Sequence, residues 1–587
     1  MNPSVLPHRW LIVLVCAGAF VVPAGAAGAT IDPWSGIGMV RAPGGPFLRD
    51  TDGRRLQLHG VDLAAKCGGG ARPVPVPGAP CVGPARGPRL AFVLSPTARD
   101  PGRRFTAADA RTLARMGFTV VRLGIIWEGL EPGPPGVGPN DRRYCRPHRA
   151  GRPFPALGAG DPYRSSTVNA YLAQTDRIVA LLAHAGLRVI IDMHQDVYGS
   201  AFSSRTGPSP WNGEGAPPWA TCTNGKAFAG RAYWGQAYAA SVVNTAIGHF
   251  WHNDVRGDLQ GQFAHVWQAV AHHYRENPDV LGYEVLNEPT DFAISDFNRQ
   301  LQCAYAGRAR APRSCAGQHI QALRSGLIGA IEAADPSHPV LFEPMVSTIF
   351  PGLESIGLGE PLRFPRLVLA FHVYGTQSAE SFGCSGSVCL SSEQAELAAI
   401  ISDRARTRTD QPGGPAIIMD EFGGGPFVTD IAQVAQLADR DSLSWSYWAA
   451  LQLHDPTGTA GENLLNDRTS RPWPAKAQVL AGPYPLATAG TPGGQTFDPA
   501  SRSFDFSYTV DRRVRAPTEI VVPRYTYPDG YTAIVQSARI VSAPDAPVLR
   551  LTPRPGSRSV TVAVTPAARP AVLVSPDHRP HRPLEAR

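Results

Sequence analysis

Along most of the chain, short apolar runs alternate with stretches whose apolar residues recur at helical spacing. The runs are Leu56–Asp62, Phe118–Ile125, Leu187–His194, Val280–Glu288, Pro339–Met345, Leu367–Tyr374, Pro415–Gly423 and Leu443–Leu451. Most are nearly continuously apolar, as strands buried on both faces are. Between them, Thr106 and Asp109 form a capping box that predicts a helix ending near Gly117. Further helices are predicted over Val168–Ala185, Gln262–Glu276, Gln318–Ala334, Glu393–Arg406 and Ile431–Arg440, and the weakest crossover, Pro351–Pro365, allows a short helix at most. Eight strands alternating with helices from Leu56 to about Ala481 predict an α/β fold, a (β/α)8 TIM barrel. An open doubly wound sheet is the rival, but the Gly-rich phosphate loop that usually marks it does not follow Leu56–Asp62.

From Tyr484 the helical period stops. Short alternating runs at Phe504–Thr509, Thr518–Val522, Ala533–Val535, Val548–Thr552 and Ser559–Val564, with Pro528-Asp529-Gly530 among the turns, predict a C-terminal all-β sandwich. The expected organisation is a signal peptide over 1–29, the catalytic barrel over 30–483, the sandwich over 484–574, and a Pro/His/Arg-rich tail over 575–587 that is expected to be disordered.

Composition changes this picture in two ways. The 587 residues are 43% hydrophobic and 18% charged, which excludes a disordered or coiled-coil chain, and the 60 Gly show no collagen period. The net charge of +7 forms no Lys/Arg stripe with interleaved aromatics, so no nucleic-acid partner is expected. From Ala487 onward thirteen Arg and no Lys face eight acids, an excess of five. This is either an electrostatic aid to contact with an anionic membrane or micelle, or a general Arg bias on a module that merely packs on the barrel.

The N-terminus reads as an export signal. His8 and Arg9 precede the apolar run Trp10–Val22, and the small residues Ala24–Ala29 offer a cleavage site. Cys16 lies inside the apolar run after Val15, where a lipoprotein anchor would want a small residue. The other eight of the 9 Cys fall in loop-like segments, and stapling disulfides are expected at Cys67–Cys81, Cys145–Cys222, Cys303–Cys315 and Cys384–Cys389. Their spacings match no zinc pattern.

In a barrel of this kind, polar residues at the C-terminal ends of the strands face the active site. Those ends carry Arg122, His194 with Asp196, Asn287-Glu288-Pro289, His372 with Tyr374, Glu421 and Trp448. A pair of carboxylates, here Glu288 and Glu421, suits glycoside hydrolysis, in which one carboxyl protonates the leaving oxygen and the other attacks the anomeric carbon or activates water. Tyr and Arg can orient the attacking carboxylate, Trp can floor a sugar ring, and Asn can bond a sugar hydroxyl. Glu284 reads as a buried structural acid, Glu343 as a supporting rather than a catalytic group, and Asp420, beside Glu421 on an alternating strand, should point away. Lys66 is either a sugar contact or an exposed loop residue. Trp211 and Trp219 either line an acceptor site or pack their loop, and Trp219 is expected at the substrate.

These strand ends, taken in order, resemble glycoside hydrolase family five. The stretches Asp192–Tyr198, Gly215–Trp219, Trp445–Trp448, Pro517–Ile520 and Tyr527–Tyr531 resemble its endoglycoceramidase-like branch. The resemblance implies Glu288 as general acid/base and Glu421 as nucleophile. It places Arg122, His194, Asn287, His372, Tyr374 and Trp448 around the attacked sugar and makes Asp196 a sugar-hydroxyl acceptor. It implies a secreted, monomeric, retaining β-glycosidase that uses no cofactor and acts on a glycolipid. A steryl or aryl β-glucosidase and a polysaccharide endoglucanase are the alternatives within the family, and a catalytically dead sugar- or lipid-binding protein is the alternative outside it.

Overall fold

A computed structural model describes residues 34, 40–43, 45–65, 94, 104–134, 137–149, 151–154, 162–204, 211–231, 234–238, 240–290, 318–343, 362–374, 387–404, 411, 413–451 and 461–567. The expected signal peptide, the C-terminal tail and Lys66 lie outside the described residues.

Among the described residues, eleven strands precede the C-terminal region: β1 (Arg55–Leu56), β2 (His59–Leu63), β3 (Val120–Ile125), β4 (Arg188–Met193), β5 (Ser203–Ser204), β6 (Trp211–Asn212), β7 (Val280–Glu284), β8 (Val340–Phe342), β9 (Leu367–Val373), β10 (Ala416–Phe422) and β11 (Ser444–Tyr447). β2, β3, β4, β7, β8, β9, β10 and β11 are parallel and close in that order into a barrel. All eight predicted runs supply a barrel strand. The first run is nevertheless divided. Leu56 belongs to β1, which pairs antiparallel with β12 (Tyr484–Thr488), and the barrel strand starts at His59.

The helices over Ala107–Arg115, Pro162–His184, Leu259–Tyr274, Gln318–Ala334, Ser387–Arg404 and Val428–Arg440 answer the six helical patterns. Thr106 and Asp109 make the reciprocal capping box, and Gly117, at φ +91°, ends that turn in a conformation that favours glycine. A helix at Ser241–His252 was not expected. Its first turn has no side-chain cap, and its apolar residues cover the barrel side from within the long insertion after β4.

Period-two alternation fills the barrel in layers. Val120, Ile190, Leu341, Val368, Ala370, Ala416 and Ile418 form an apolar plug shared with Tyr484, Leu486 and Val521. Two residues further along the strands the same face carries Arg122, Asp192, His372 and Asp420. The fold therefore stacks a charged layer on an apolar one, and the charge lies at the end where the strands finish.

The C-terminal strands are β12, β13 (Gly490–Asp498), β14 (Ser503–Val510), β15 (Thr518–Val521), β16 (Tyr531–Gln536), β17 (Ala538–Ile540), β18 (Val548–Pro553) and β19 (Ser559–Pro566). They form a five-stranded sheet, β1-β12-β15-β18-β17, and a four-stranded sheet, β13-β14-β19-β16. Phe504, Phe506, Tyr508, Ile520, Leu549, Leu551, Val560, Val562 and Val564 form the core of this module. The module is the expected all-β sandwich, with one strand borrowed from ahead of the barrel.

Candidate active site

Arg122, 1% exposed, organises the charged layer. Its Nε and Nη2 donate to both oxygens of Glu284 at 2.7 Å, Nη1 donates to Glu421 Oε2 at 2.9 Å, and Nη2 also donates to Asn287 Oδ1 at 2.6 Å. Asp192, Glu343 and Asp420 approach the guanidinium at 3.4, 3.6 and 3.6 Å. Burial opposes the charge on Arg122, but Asp192, Glu284 and Asp420 outweigh it and hold its pKa well above the usual value. The same balance separates the acids. Burial alone would raise Glu284, yet the Arg122 charge and the forked hydrogen bonds hold its carboxyl well below the ordinary range. Asp62, Asp192, Glu343 and Asp420 are pushed well above it, chiefly by burial. Glu343 and Asp420 both lie against Glu284, and its charge adds to burial in raising them.

Above this layer stand the two carboxyls expected to work. Tyr374 Oη donates to Glu421 Oε1 at 2.5 Å, on the side opposite the Arg122 contact. His372 Nδ1 lies 2.9 Å from Glu288 Oε1 and 3.7 Å from Glu421 Oε1. An oxygen of Glu288, a nitrogen of His372 and an oxygen of Glu421 all fall within 4.8 Å of one another. Burial works against a proton on His372, but the Glu421 charge and the Glu288 hydrogen bond prevail and raise its pKa. His194 Nδ1 is set by Asp192 at 2.7 Å, its ring stacks 5.3 Å from Trp448, and Asp196 lies 3.7 Å from its Nε2. The structure thus brings together Arg122, His194, Asp196, Asn287, Glu288, His372, Tyr374, Glu421 and Trp448.

Three expectations are corrected. Trp219 is not at the substrate. Its indole is 1% exposed, donates to the Glu131 carbonyl at 3.0 Å, and packs edge-on against Trp127, so it anchors the loop. Asp420 does not point away. In the β9–β10 pairing Met419 opposes Phe371 and Glu421 opposes His372, which leaves Asp420 as the extra residue of a bulge. Ala416, Ile418 and Asp420 keep the inward face by alternation, and the bulge brings Glu421 inward as well. Glu288 is also not on a strand. β7 ends at Glu284, and Glu288 turns out of it with φ +44°.

Sequence reasoning missed Gln195 and Asp62. Gln195 Nε2 donates to the carbonyls of Asn287 and Glu288 at 3.1 and 3.0 Å, and Asp62 accepts from Ser446 Oγ at 3.0 Å. Their positions beside His194 and near the end of the first run were the available signals. Metal-type donors also cluster at His194–Asp196–Glu214, Glu284–Glu343–His372 and Glu288–His372–Glu421. In the last two Arg122 already supplies a cation to Glu284 and Glu421. Beside Pro289 lies a small apolar pocket whose lining includes Trp127, Met193, Phe250, Trp251, Phe263 and Leu286.

Residues 97–452 match cellulase (glycosyl hydrolase family 5). The chain belongs to this family. As a family 5 member it is a glycoside hydrolase, and residues 483–564 match the glycoside hydrolase family 5 C-terminal domain. This family 5 enzyme is 27% identical to Endoglycoceramidase I of Rhodococcus hoagii over 478 residues, which cover 79% of this chain and 81% of the relative. It is 23% identical to an endoglycoceramidase of Cyanea nozakii, over 73% of this chain and 78% of that one. Among solved structures it resembles endo-glycoceramidase II from Rhodococcus sp. in a cellobiose-like imidazole complex. The identity there is 25%, the TM-score 0.62, and the match covers 89% of this chain and all of the other.

Proposed function

We propose that this family 5 enzyme is an exported, retaining β-glycosidase that releases a sugar or oligosaccharide from a lipid aglycone, with glycosphingolipid as the favoured substrate. The observation that carries the mechanism is the close approach of Glu288 and Glu421, whose oxygens lie within 4.8 Å. Retaining enzymes hold their carboxyls about 5–5.5 Å apart, whereas inverting enzymes leave about 6.5–9.5 Å for a water. Arg122 and Tyr374 each give Glu421 a hydrogen bond, which fixes the direction of the attacking carboxyl. Glu288 protonates the leaving oxygen as Glu421 closes on the anomeric carbon. It then takes a proton from the water that opens the glycosyl-enzyme. Trp448 and His194 offer a flat wall to the sugar ring, and Asn287 and Asp196 offer groups for its hydroxyls.

The lipid part of the reading is supported by the similarity to endoglycoceramidases. Export is supported by the N-terminal apolar run and by the disulfide between Cys145 and Cys222. The deciding experiment is a panel of ganglioside, glucosylceramide, steryl glucoside and soluble β-glucan, with products identified by mass. Intact oligosaccharide released from ganglioside supports the reading. Cleavage of β-glucan alone overturns it.

A further inference from the structure

Glu343 follows β8, is 1% exposed, and has no part in the mechanism above. Its Oε1 accepts the backbone N–H of Glu288 at 3.1 Å and lies 3.5 Å from His372 Nε2. The other nitrogen of that imidazole holds the Glu288 carboxyl at 2.9 Å. One carboxyl oxygen therefore meets both supports of Glu288, its backbone and the ring behind its side chain. The backbone needs support, because a left-handed φ of +44° is disfavoured for a residue with a Cβ. On the carbonyl side Gln195 supplies the opposing hydrogen bond at 3.0 Å, so the Glu288 residue is pinned from both ends.

We propose that Glu343 is a positioning residue for the reaction, fixing the backbone of Glu288 directly and its carboxyl through His372. The proposal rests on reading Glu288 as the acid/base. The charged and titratable groups facing Glu343 are Arg122, Glu284, His372 and Asp420. Burial first, then the charges of Glu284 and Asp420, raise the Glu343 carboxyl well above its ordinary range against the pull of Arg122. A carboxyl raised in this way can present a proton to Glu284 while its Oε1 accepts from Glu288. A glutamine amide reproduces both bonds. An aspartate withdraws the oxygen by one methylene, about 1.5 Å, and breaks the hold on Glu288.

The test compares kcat/KM for two aryl β-glycosides of the same sugar, one with a 2,4-dinitrophenyl leaving group that needs no protonation and one with phenyl, which does. Glu343→Gln should stay within about threefold of wild type on both. Glu343→Asp should lose about 30-fold or more on the phenyl glycoside and no more than about threefold on the dinitrophenyl glycoside. Equal losses on the two substrates, or a Glu343→Gln variant as impaired as Glu343→Asp, overturn the proposal. Glu288→Gln on the same pair tests the underlying reading. Equal losses there overturn that reading and the proposal with it, whereas a selective loss there beside equal losses in Glu343→Asp overturns the proposal alone. Should Glu343→Asp fail to fold, the pH profile of Glu343→Gln decides. An unchanged alkaline limb supports a neutral positioning group, and a displacement of more than about one pH unit overturns it.

Discussion

Asp420 and Glu421 are neighbours on one strand, and both face the barrel interior, because the bulge opposite Phe371 and His372 absorbs the residue that alternation would have turned outward. Their roles separate by depth. Asp420, fully buried, lies against Glu284 and is pushed well above the ordinary carboxylate range by burial and that charge, whereas Glu421 stands between Arg122 and Tyr374 at the mouth. Glu421→Gln and Glu288→Gln are each expected to lower kcat by at least about 10³-fold with an unchanged circular dichroism spectrum, because groups that act as a unit fail singly. Asp420→Asn keeps a donor toward Glu284 and should retain activity within about tenfold. A loss in Asp420→Asn as deep as in Glu421→Gln would show that the two carboxyls are not divided in this way.

The sequence shows most of this site because a barrel converts strand order into position: each polar residue that ends an apolar run arrives at one mouth. The charged layer beneath was less legible. Arg122 sits two residues above the apolar Val120, but its forked pairing with Glu284 depends on neighbouring strands, which no single run reveals. The bulge at Asp420 was invisible for a related reason, since an extra residue changes the facing of every residue after it without altering the run's composition. Trp219 misled because an aromatic in a long insertion looks alike whether it meets a sugar or Trp127. β1 was hidden inside an apolar run whose two ends serve different sheets.

Arg122 and Glu284 form a buried pair in which each neutralises the other. Removing one partner leaves an uncompensated charge and costs about 3–5 kcal/mol, while removing both costs far less than the sum. Arg122→Leu and Glu284→Leu should therefore each lower the urea midpoint strongly, and the double variant should recover part of the loss. Arg122→Lys should not rescue, because an ammonium cannot make the side-on fork that reaches Glu284, Asn287 and Glu421 together. Strict additivity of the two single losses in urea melts would contradict the coupling.

Cys145 and Cys222 are joined across 77 residues, a span that contains the long helix Pro162–His184 and β4. Each of the other three expected disulfides has at least one cysteine outside the described residues. Closing a loop of this length removes enough unfolded-state freedom to contribute about 4 kcal/mol in the chain-entropy model. Cys145→Ser with Cys222→Ser should lower the thermal midpoint by several degrees, and wild type should fall similarly when reduced before heating. An unchanged midpoint in both measurements would rule out a stabilising role.

Asp335 ties the end of the helix Gln318–Ala334 to the barrel through Tyr283 Oη at 2.7 Å, His338 Nδ1 at 2.5 Å and the Ser337 N–H at 2.8 Å. Although burial raises its pKa, these hydrogen bonds prevail and hold the carboxyl below its ordinary value. A folded-state pKa below the unfolded value gives stability that is complete above about pH 4 and is lost as pH falls through the folded value. Asp335→Asn should thus be less stable than wild type at neutral pH, and the gap should narrow below about pH 4. Urea midpoints at a series of pH values will show whether the two curves converge on the acid side, and a constant gap would refute the assignment.

The C-terminal module supplies part of the barrel's floor. Tyr484, Leu486 and Val521 join the apolar plug, Tyr484 Oη donates to the Gly117 carbonyl at 2.9 Å, and the Tyr525 N–H donates to the Arg115 carbonyl at 2.9 Å. A Cβ on Gly117 would lie 2.5 Å from Pro523, so the helix end and the module are in direct contact. Arg54, fully buried, pairs with Asp50 at 2.7 Å and donates to the Pro517 carbonyl at 2.8 Å, fastening the chain ahead of the barrel to the same sheet. Of the two readings of its Arg excess, these contacts favour packing. Each large apolar side chain uncovered costs roughly 1.5–3 kcal/mol, and cutting the chain after residue 483 would uncover several and leave Arg54 without the Pro517 carbonyl and without Glu519, 3.6 Å away. The truncated barrel should be insoluble or unfolded at 37 °C, while Gly117→Ala in the full chain should lower the thermal midpoint without changing substrate preference. Vesicle binding by the full chain that depends on anionic lipid and falls with salt would add the electrostatic role, and a truncated barrel that folds and keeps its midpoint would remove the structural one.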